Sequence, residues 1–285
     1  MDGIVIINKP LNMSSHDCVN KVRKLFNTKK VGHSGTLDKA ATGVLVLGIN
    51  KGTKLLNYLN QDDKAYEFTV CFGKTTDTRD HEGVITETKP VANLKQLDGL
   101  TDRFIGEYNQ VPPDYSAVKI AGKKMYQYAR QNMVMPILEP RKITVFTLKK
   151  LTDFVQNNDC VEASFYVKST KGLYVRQLAY DLALLCDTVG HTTRIHRVQA
   201  GQYNIDQATP LDLLETSSLI PMADVLNDLP KITLEPSQIN RVKDGQMLLL
   251  DIQDDMIQCL NDLGDLIAIY RRHESGEYHA KNVFI

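Results

Sequence analysis

Short strand-like segments, separated irregularly by helical stretches, are the feature that most restricts the fold of this chain. The apolar run at residues 4–7 and the runs at 66–72 and 143–148 are rich in β-branched and aromatic side chains. Residues 161–167 alternate strictly between two environments, which predicts a strand with one buried face. Because the helices do not follow the strands in a steady βαβ rhythm, we predict an α+β fold with a mixed sheet.

Two segments have helical periodicity. Ser14 precedes Asp17 by three residues, the spacing of a capping box, and apolar side chains then recur on one face at Val19, Val22 and Phe26. Residues 174–186 repeat the helical spacing. We expect a helix after Ser14 and another across 174–186.

The pattern changes near residue 231. Short strand-like runs at 247–250, 266–270 and 282–285 are separated there by Gly and Asp. They predict a small β-rich domain at 231–285 after a larger domain at 1–230. At about 55 residues, the smaller domain is near the lower limit for independent folding.

The composition is that of an ordinary globular protein, with 42% apolar and 24% charged residues, which excludes disordered and low-complexity classes. Five dispersed cysteines without a C-x-x-C pair favour reduced thiols over disulfides or a zinc site. No secretory signal is evident, and no apolar run approaches the ~20 residues of a membrane helix. We therefore expect a soluble, cytoplasmic protein.

The formal net charge of zero argues, by itself, against a polyanionic partner. The charges are segregated, however. Residues 1–60 carry nine Lys or Arg against three Asp, and residues 115–150 carry eight against Glu139 alone. Residues 251–270 carry five Asp and no Lys or Arg. A basic run is usually a solvated face, but Tyr126 and Tyr128 interleave with the second run, as in RNA-binding surfaces.

The Gly-rich segment at residues 32–38 ends at Asp38 and contains a His, a Ser and a Thr. It lacks the G-x-x-x-x-G-K-[ST] pattern of a nucleotide-binding loop, and Asp38 would repel a phosphate. One interpretation is a tight turn in which Asp38 caps a following helix. The other is that its carboxylate is a nucleophile or a general base.

Residues 32–45, G-H-S-G-T-L-D-K-A-A-T-G-V-L, closely resemble the G-H-x-G-T-L-D-P-x-A-x-G-x-L motif of the bacterial TruB family, the tRNA pseudouridine-55 synthases. Five further segments are similar to family motifs and occur in the family's order. They are Asn8-Lys9-Pro10 with Ser14-Ser15, residues 63–66 (D-K-A-Y), residues 76–83 (T-D-T-R-D-H-E-G), residues 110–119 (Q-V-P-P-D-Y-S-A-V-K), and residues 169–176 (S-T-K-G-L-Y-V-R) with Leu178 and Asp181. The resemblance extends over about residues 5–205 of the sequence.

This resemblance implies a pseudouridine-synthase-type sheet, mixed and largely antiparallel with flanking helices, and a PUA-like RNA-binding domain at 231–285. The implied activity is isomerisation of the T-loop uridine at tRNA position 55, by base flipping and an aspartate nucleophile. The implied partners are the tRNA T-arm and, through the C-terminal domain, the acceptor stem. We expect no metal, cofactor, membrane or obligatory protein partner, and a monomer.

The resemblance also assigns roles to individual residues. Asp38 would be the nucleophile, at ribose C1′ or uracil C6, and Arg176 would pair with it so that it stays ionised in a water-poor pocket. Tyr66 would stack on the flipped uracil and His33 would fill the vacated space. Tyr174 and Leu178 would wall the pocket. Lys9 with Pro10 would help to pack the active-site loop. The RNA backbone contacts would be Lys119, Lys123, Lys124, Arg130, Arg141 and Lys142.

The sequence departs from the family pattern at five positions. Lys39 replaces the proline that follows the aspartate and adds a cation beside it. Asn12 and Asn50 replace glycines, and Asn is the residue that best tolerates a left-handed backbone after Gly. Leu173 replaces a threonine and His196 an arginine, which would reduce the RNA contacts.

Two other functions remain open at this point. A tRNA-binding or tRNA-folding module could use the same surface without chemistry. A guide-RNA-dependent synthase of the related dyskerin type would need accessory proteins, but the length of the chain and its lack of long basic extensions argue against that class.

Overall fold

The computed structural model describes residues 1–59, 63–92, 99, 101–116, 118–120, 122–125, 128, 131, 136, 138–157 and 160–285, with the backbone alone at 119, 123 and 124. Arg130, Tyr126 and the side chains of Lys119, Lys123 and Lys124 therefore lie outside the described residues.

The α-helices that lie entirely within the described residues are α1 (Ser15–Leu25), α2 (Leu56–Leu59), α3 (Val175–Leu184) and α4 (Pro236–Lys243). The first strands are β1 (Gly3–Lys9), β2 (Val31–His33), β3 (Ala41–Ile49), β4 (Lys64–Phe72), β5 (Lys74–Thr76), β6 (Ile85–Thr88), β7 (Gly106–Gln110), β8 (Lys119–Ile120), β9 (Lys123–Lys124) and β10 (Arg141–Lys150). The remaining strands are β11 (Val155–Asn157), β12 (Cys160–Ser169), β13 (Gly190–Ala200), β14 (Tyr203–Asn204), β15 (Thr209–Pro210), β16 (Ile220–Pro221), β17 (Lys231–Thr233), β18 (Met256–Leu260), β19 (Leu266–Arg272) and β20 (Tyr278–Val283).

One large sheet organises residues 1–230, in the order β15-β1-β3-β13-β4-β12-β10-β7. The β1–β15 and β3–β13 pairs are parallel, and the other pairs along this order are antiparallel. The sheet is therefore mixed and largely antiparallel, and the predicted fold class is confirmed. The strands expected at 4–7, 66–72, 143–148 and 161–167 are β1, β4, β10 and β12.

Helices α1 and α3 pack on one face of this sheet. Helix α1 begins with the expected capping box, in which the Ser14 hydroxyl accepts the Asp17 N–H and the Asp17 carboxylate accepts the Ser14 N–H. Its side chains Cys18, Val19 and Val22 join a core cluster with Leu178 and strand residues. Among the described residues, no helix combines the length and apolar character needed to cross a bilayer.

A second, four-stranded sheet, β17-β18-β19-β20, follows within residues 231–283. It has a hydrophobic cluster of its own, and it also shares a cluster with the large sheet, on the face opposite α1 and α3. The shared cluster contains Ile4, Ile6, Val44 and Val46 from the large sheet and Leu260, Leu266, Ile269 and Phe284 from the C-terminal segment.

The sequence was least informative in this C-terminal segment. The strand predicted at 247–250 is wrong, because only an isolated bridge from Leu248 to Tyr278 forms there. The strand predicted at 266–270 is β19, and the predicted run 282–285 overlaps only the end of β20. Helix α4 was not foreseen, although Pro236 occupies its first turn, where proline is favoured.

Candidate active site

The loop that carries Asp38 connects β2 to β3. The Asp38 carbonyl accepts the Ala41 N–H at 3.1 Å, so Lys39 occupies the second position of a tight turn, where proline is favoured. The Lys39 carbonyl accepts the N–H of Asn12 at 3.1 Å, and Asn12 has a φ of +62°. The turn therefore forms without the family proline. Strand β3 follows it, so the interpretation of Asp38 as a helix cap is wrong.

A single row of paired residues crosses four strands beneath this loop. Lys9 on β1 lies opposite Gly43 on β3, Gly43 lies opposite Arg197 on β13, and Arg197 lies opposite Tyr66 on β4. Directly paired residues share a face of a sheet. A Cβ on Gly43, which has a φ of +110°, would lie 2.2 Å from the Arg197 carbonyl oxygen. Glycine is therefore what lets β3 and β13 approach here.

Arg176, in the first turn of α3, joins two carboxylates. Its Nη2 lies 2.9 Å from Asp38 Oδ2 and its Nη1 lies 3.3 Å from Asp80 Oδ2. The same nitrogens donate to the carbonyls of Tyr115 at 2.9 Å and Thr78 at 2.7 Å. The guanidinium thus binds two carboxylates and two backbone carbonyls at the same time. The expected water-poor pocket around Asp38 is not observed, because its side chain is 47% exposed while that of Arg176 is 7% exposed.

A cavity of about 290 Å³ lies beside the ion pair, near the lower end of ligand-site volumes. It brings together four of the sequence-predicted site residues: Asp38, Tyr66, Tyr174 and Arg176. Burial raises the pKa of the Tyr174 phenol, which keeps it neutral at physiological pH. The lining also includes Gly35, Thr36, Lys64, Ser116, Lys171, Ile195 and Arg197.

Three predicted residues do not line this cavity. Lys9 is fully buried, and its ammonium donates to the carbonyls of Pro10 at 2.9 Å and Met13 at 2.6 Å. Burial lowers the pKa of Lys9. His33 is half-buried on β2, and Leu178 is fully buried in the core cluster. The structure does not support direct substrate contact by Lys9 or Leu178, since both are enclosed by protein.

Comparison with known proteins identifies the family. Residues 23–175, more than half of the chain, match the model for the N-terminal domain of TruB family pseudouridylate synthases. The tRNA pseudouridine synthase B of Bacillus pumilus is 35% identical over 291 aligned residues, which cover 96% of this chain and 94% of that protein. The chain belongs to the TruB family. The Mesoplasma florum protein of the same name is 35% identical to this TruB-family chain. The alignment covers 98% of this chain and 96% of that protein.

Solved structures share the fold of this TruB-family chain at low sequence identity. An H/ACA RNP bound to a substrate RNA containing 2′-deoxyuridine includes a chain with a TM-score of 0.69 and 18% identity, matching 99% of this chain and 85% of that one. A Cbf5-Nop10-Gar1 complex gives a TM-score of 0.66 and 20% identity, with coverage of 99% and 84%. At this identity the similarity concerns the fold alone.

Asp80 and Arg197 are among the residues at the site of the TruB-family chain that were not assigned from sequence. Asp80 is 8% exposed at its side chain, and its Oδ1 accepts the Thr78 hydroxyl at 2.6 Å and the Glu82 N–H at 3.1 Å. It belongs to the T-D-T-R-D segment, so an acidic residue within a matched motif was the available signal. Arg197 is buried and donates from Nε to the Val44 carbonyl at 2.8 Å. Nothing in the sequence separated it from the exposed Arg194.

Of the predicted RNA-backbone contacts, Arg141 and Lys142 are described in full, and both are exposed at the start of β10. Lys142 forms an ion pair with Glu107 on the neighbouring strand β7. Within the described part of the TruB-family chain, no three His, Cys, Asp or Glu side chains are grouped so that they could hold a metal ion.

Proposed function

We propose that this chain is a tRNA pseudouridine synthase that isomerises the T-loop uridine at position 55. The observation that carries the proposal is the ion pair between Asp38 and Arg176 beside a cavity walled by Tyr66 and Tyr174. The relatives named tRNA pseudouridine synthase B support the substrate class, because they align with almost the whole chain.

The isomerisation breaks the C1′–N1 bond of uridine, turns the uracil and joins C5 to C1′. A proton leaves C5 and N1 gains one, so the nucleotide keeps its composition and needs no redox partner or group donor. Asp38 supplies the nucleophilic oxygen. In one route it attacks C1′ and N1 leaves with the electron pair of the bond, after which C5 attacks C1′ and expels the carboxylate. In the other route it adds to C6 across the C5=C6 bond and is eliminated after the sugar has moved from N1 to C5. Arg176 holds the carboxylate by a charge-assisted hydrogen bond.

A T-loop uridine is stacked, so the enzyme flips it out at a cost of a few kcal/mol. We assign to Tyr66 the stacking contact with the flipped uracil and to Tyr174 the opposite wall, because both line the cavity. His33, half-buried on the adjoining strand β2, would occupy the space that the base leaves. Lys9 and Leu178 support the site from beneath by packing.

Further RNA contacts lie outside the cavity. In our proposal the backbone of the T-arm is contacted by Arg141 and Lys142, together with Lys119, Lys123, Lys124 and Arg130. The acceptor stem would be bound by a PUA-like domain at 231–285, which is distinct from the catalytic domain at 1–230. The protein would act as a monomer without an obligatory protein partner. A cytoplasmic location is supported by its five free cysteines.

The test uses purified protein, an unmodified T-arm stem-loop and chemical mapping of pseudouridine. The expected result is one pseudouridine, at the T-loop uridine, and none with Asp38→Asn, which keeps the shape of the side chain. RNA binding by this variant serves as the folding control. Modification of another uridine would overturn the position, and an active Asp38→Asn would overturn the nucleophile. Binding without conversion by the wild type would favour a tRNA-binding module or a guide-dependent enzyme.

A further inference from the structure

Gln110, at the end of β7, is a buried polar side chain that the proposed reaction does not use. It is 1% exposed, and its amide forms two hydrogen bonds with the backbone of one residue, Tyr174. Gln110 Oε1 accepts the Tyr174 N–H at 2.8 Å, and Nε2 donates to the Tyr174 carbonyl at 3.0 Å. A side chain thus binds the backbone of Tyr174 as a neighbouring strand would.

Tyr174 is the N-cap of α3, directly before its first residue, Val175. The first turn of a helix has N–H groups without helical partners, and this N-terminus has no side-chain cap of its own. The Tyr174 carbonyl accepts the Leu178 N–H at 3.0 Å as well as the Gln110 amide. Gln110 therefore fixes both the residue that walls the cavity and the start of the turn that carries Arg176.

A second contact ties the same strand to the same helix. Tyr108 lies two residues before Gln110, and its hydroxyl donates to the Asp181 carboxylate of α3. Asp181 also accepts the Gln177 amide at 2.8 Å, and Gln110 Nε2 lies 3.4 Å from the Tyr108 hydroxyl. Strand β7 thus holds α3 at its N-cap and again about two turns later, which restricts both sliding and rotation of the helix.

We propose that Gln110 is a positioning residue for the reaction, which sets Tyr174 and, through the first turn of α3, the guanidinium of Arg176 against Asp38. This inference rests on the proposed function. Displacing a reactive group by about 1 Å can cost roughly 100-fold in rate, so a helix start that is free to shift would slow the chemistry while leaving the RNA-binding surface intact.

The test compares Gln110→Met, which has a similar length but neither hydrogen bond, with Asn109→Met, an exposed site on the same strand. Single-turnover rates and Kd for a labelled T-arm stem-loop are measured for each. We expect Gln110→Met to lower the rate at least about tenfold with Kd changed less than about twofold. Asn109→Met should match the wild type. An unchanged rate, or a rate loss matched by a loss of binding, would overturn the proposal.

A double-mutant cycle with Arg176→Lys shows whether Gln110 acts through Arg176. If it does, Gln110→Met will cost much less rate in the Arg176→Lys background than alone. Independent, multiplied losses would contradict the proposal. If Gln110→Met does not fold, as judged by circular dichroism, the cycle is run with Gln110→Glu, which keeps the acceptor for the Tyr174 N–H and removes the donor. A wild type without activity would overturn the proposed function instead.

Discussion

The buried carboxylate of Asp80 lies 3.3 Å from the guanidinium of Arg176. Arg176 is thereby neutralised from within the protein, independently of Asp38. In the proposed reaction Asp38 loses its charge when it forms a covalent bond to the nucleotide, and Asp80 would then remain as the counter-ion of Arg176. The buried pair would thus keep the guanidinium in place through every proposed step that changes Asp38.

Replacing Asp80 by Asn should therefore slow the reaction without abolishing RNA binding. Asn keeps the shape but removes the buried negative charge, and it weakens a hydrogen bond to a charged group, which is worth about 1.5–3 kcal/mol. We expect a single-turnover rate at least about tenfold lower and a lower free energy of unfolding in urea. Glu82→Gln, which removes an exposed charge in the same segment, is the control. Equal rates for the two variants would refute the role of Asp80.

Restoring the family proline should stabilise the loop of Asp38. Lys39 occupies the second position of the Asp38–Ala41 turn, where proline restricts the unfolded chain without straining the folded one. We expect Lys39→Pro to raise the free energy of unfolding by about 0.4–1 kcal/mol, measured by urea denaturation. Lys39→Ala should show no such gain. A loss of stability in the proline variant would mean that the turn does not accept its ring.

The stability of the protein should decrease as the pH falls below about 6.5. Burial, and then the nearby cation of Arg197, lower the pKa of His33 from its ordinary value of 6.5. The unfolded chain therefore takes up a proton at a higher pH than the folded one, and protonation favours unfolding. Thermal unfolding between pH 8 and 5.5 should show a flatter dependence for His33→Gln than for the wild type. Parallel curves would contradict this.

Gly43→Ala should be among the most damaging single substitutions. The added Cβ would lie 2.2 Å from the Arg197 carbonyl oxygen, and the alanine would have to adopt the φ of +110° that Gly43 has. We expect a loss of more than about 3 kcal/mol in the free energy of unfolding. Gly264→Ala is the matched control, since it also has a positive φ, of +82°, but meets no atom within 4 Å. It should lose only about 1–2 kcal/mol. Similar losses would show that strain, and not the close approach, governs Gly43.

Local patterns predicted the parts of the fold that are determined locally. The alternation at 161–167 and the capping box at Ser14 correspond to β12 and α1, because burial of one face and a reciprocal cap are encoded within a few residues. Of the short C-terminal runs, 266–270 corresponds to β19, whereas 247–250 is not a strand and 282–285 overlaps only the end of β20. Pairing across the sheet, and not local pattern, defines these short strands. The motifs singled out Asp38 and Arg176, but not the division of Arg176 between two carboxylates. That division depends on the Thr76–Asp80 turn and α3, which are far apart in sequence.

Strand β1 is buried on both faces. Val5 and Ile7 belong to the cluster beneath α1 and α3, whereas Ile4 and Ile6 belong to the cluster shared with the C-terminal sheet. This strand, which ends at Lys9 under the Asp38 loop, thus packs against α1 and α3 on one face and against the C-terminal sheet on the other. The large sheet and the C-terminal sheet should unfold in one cooperative transition. A destabilising substitution in the C-terminal sheet would then lower the population of active enzyme although that sheet does not line the cavity beside Asp38.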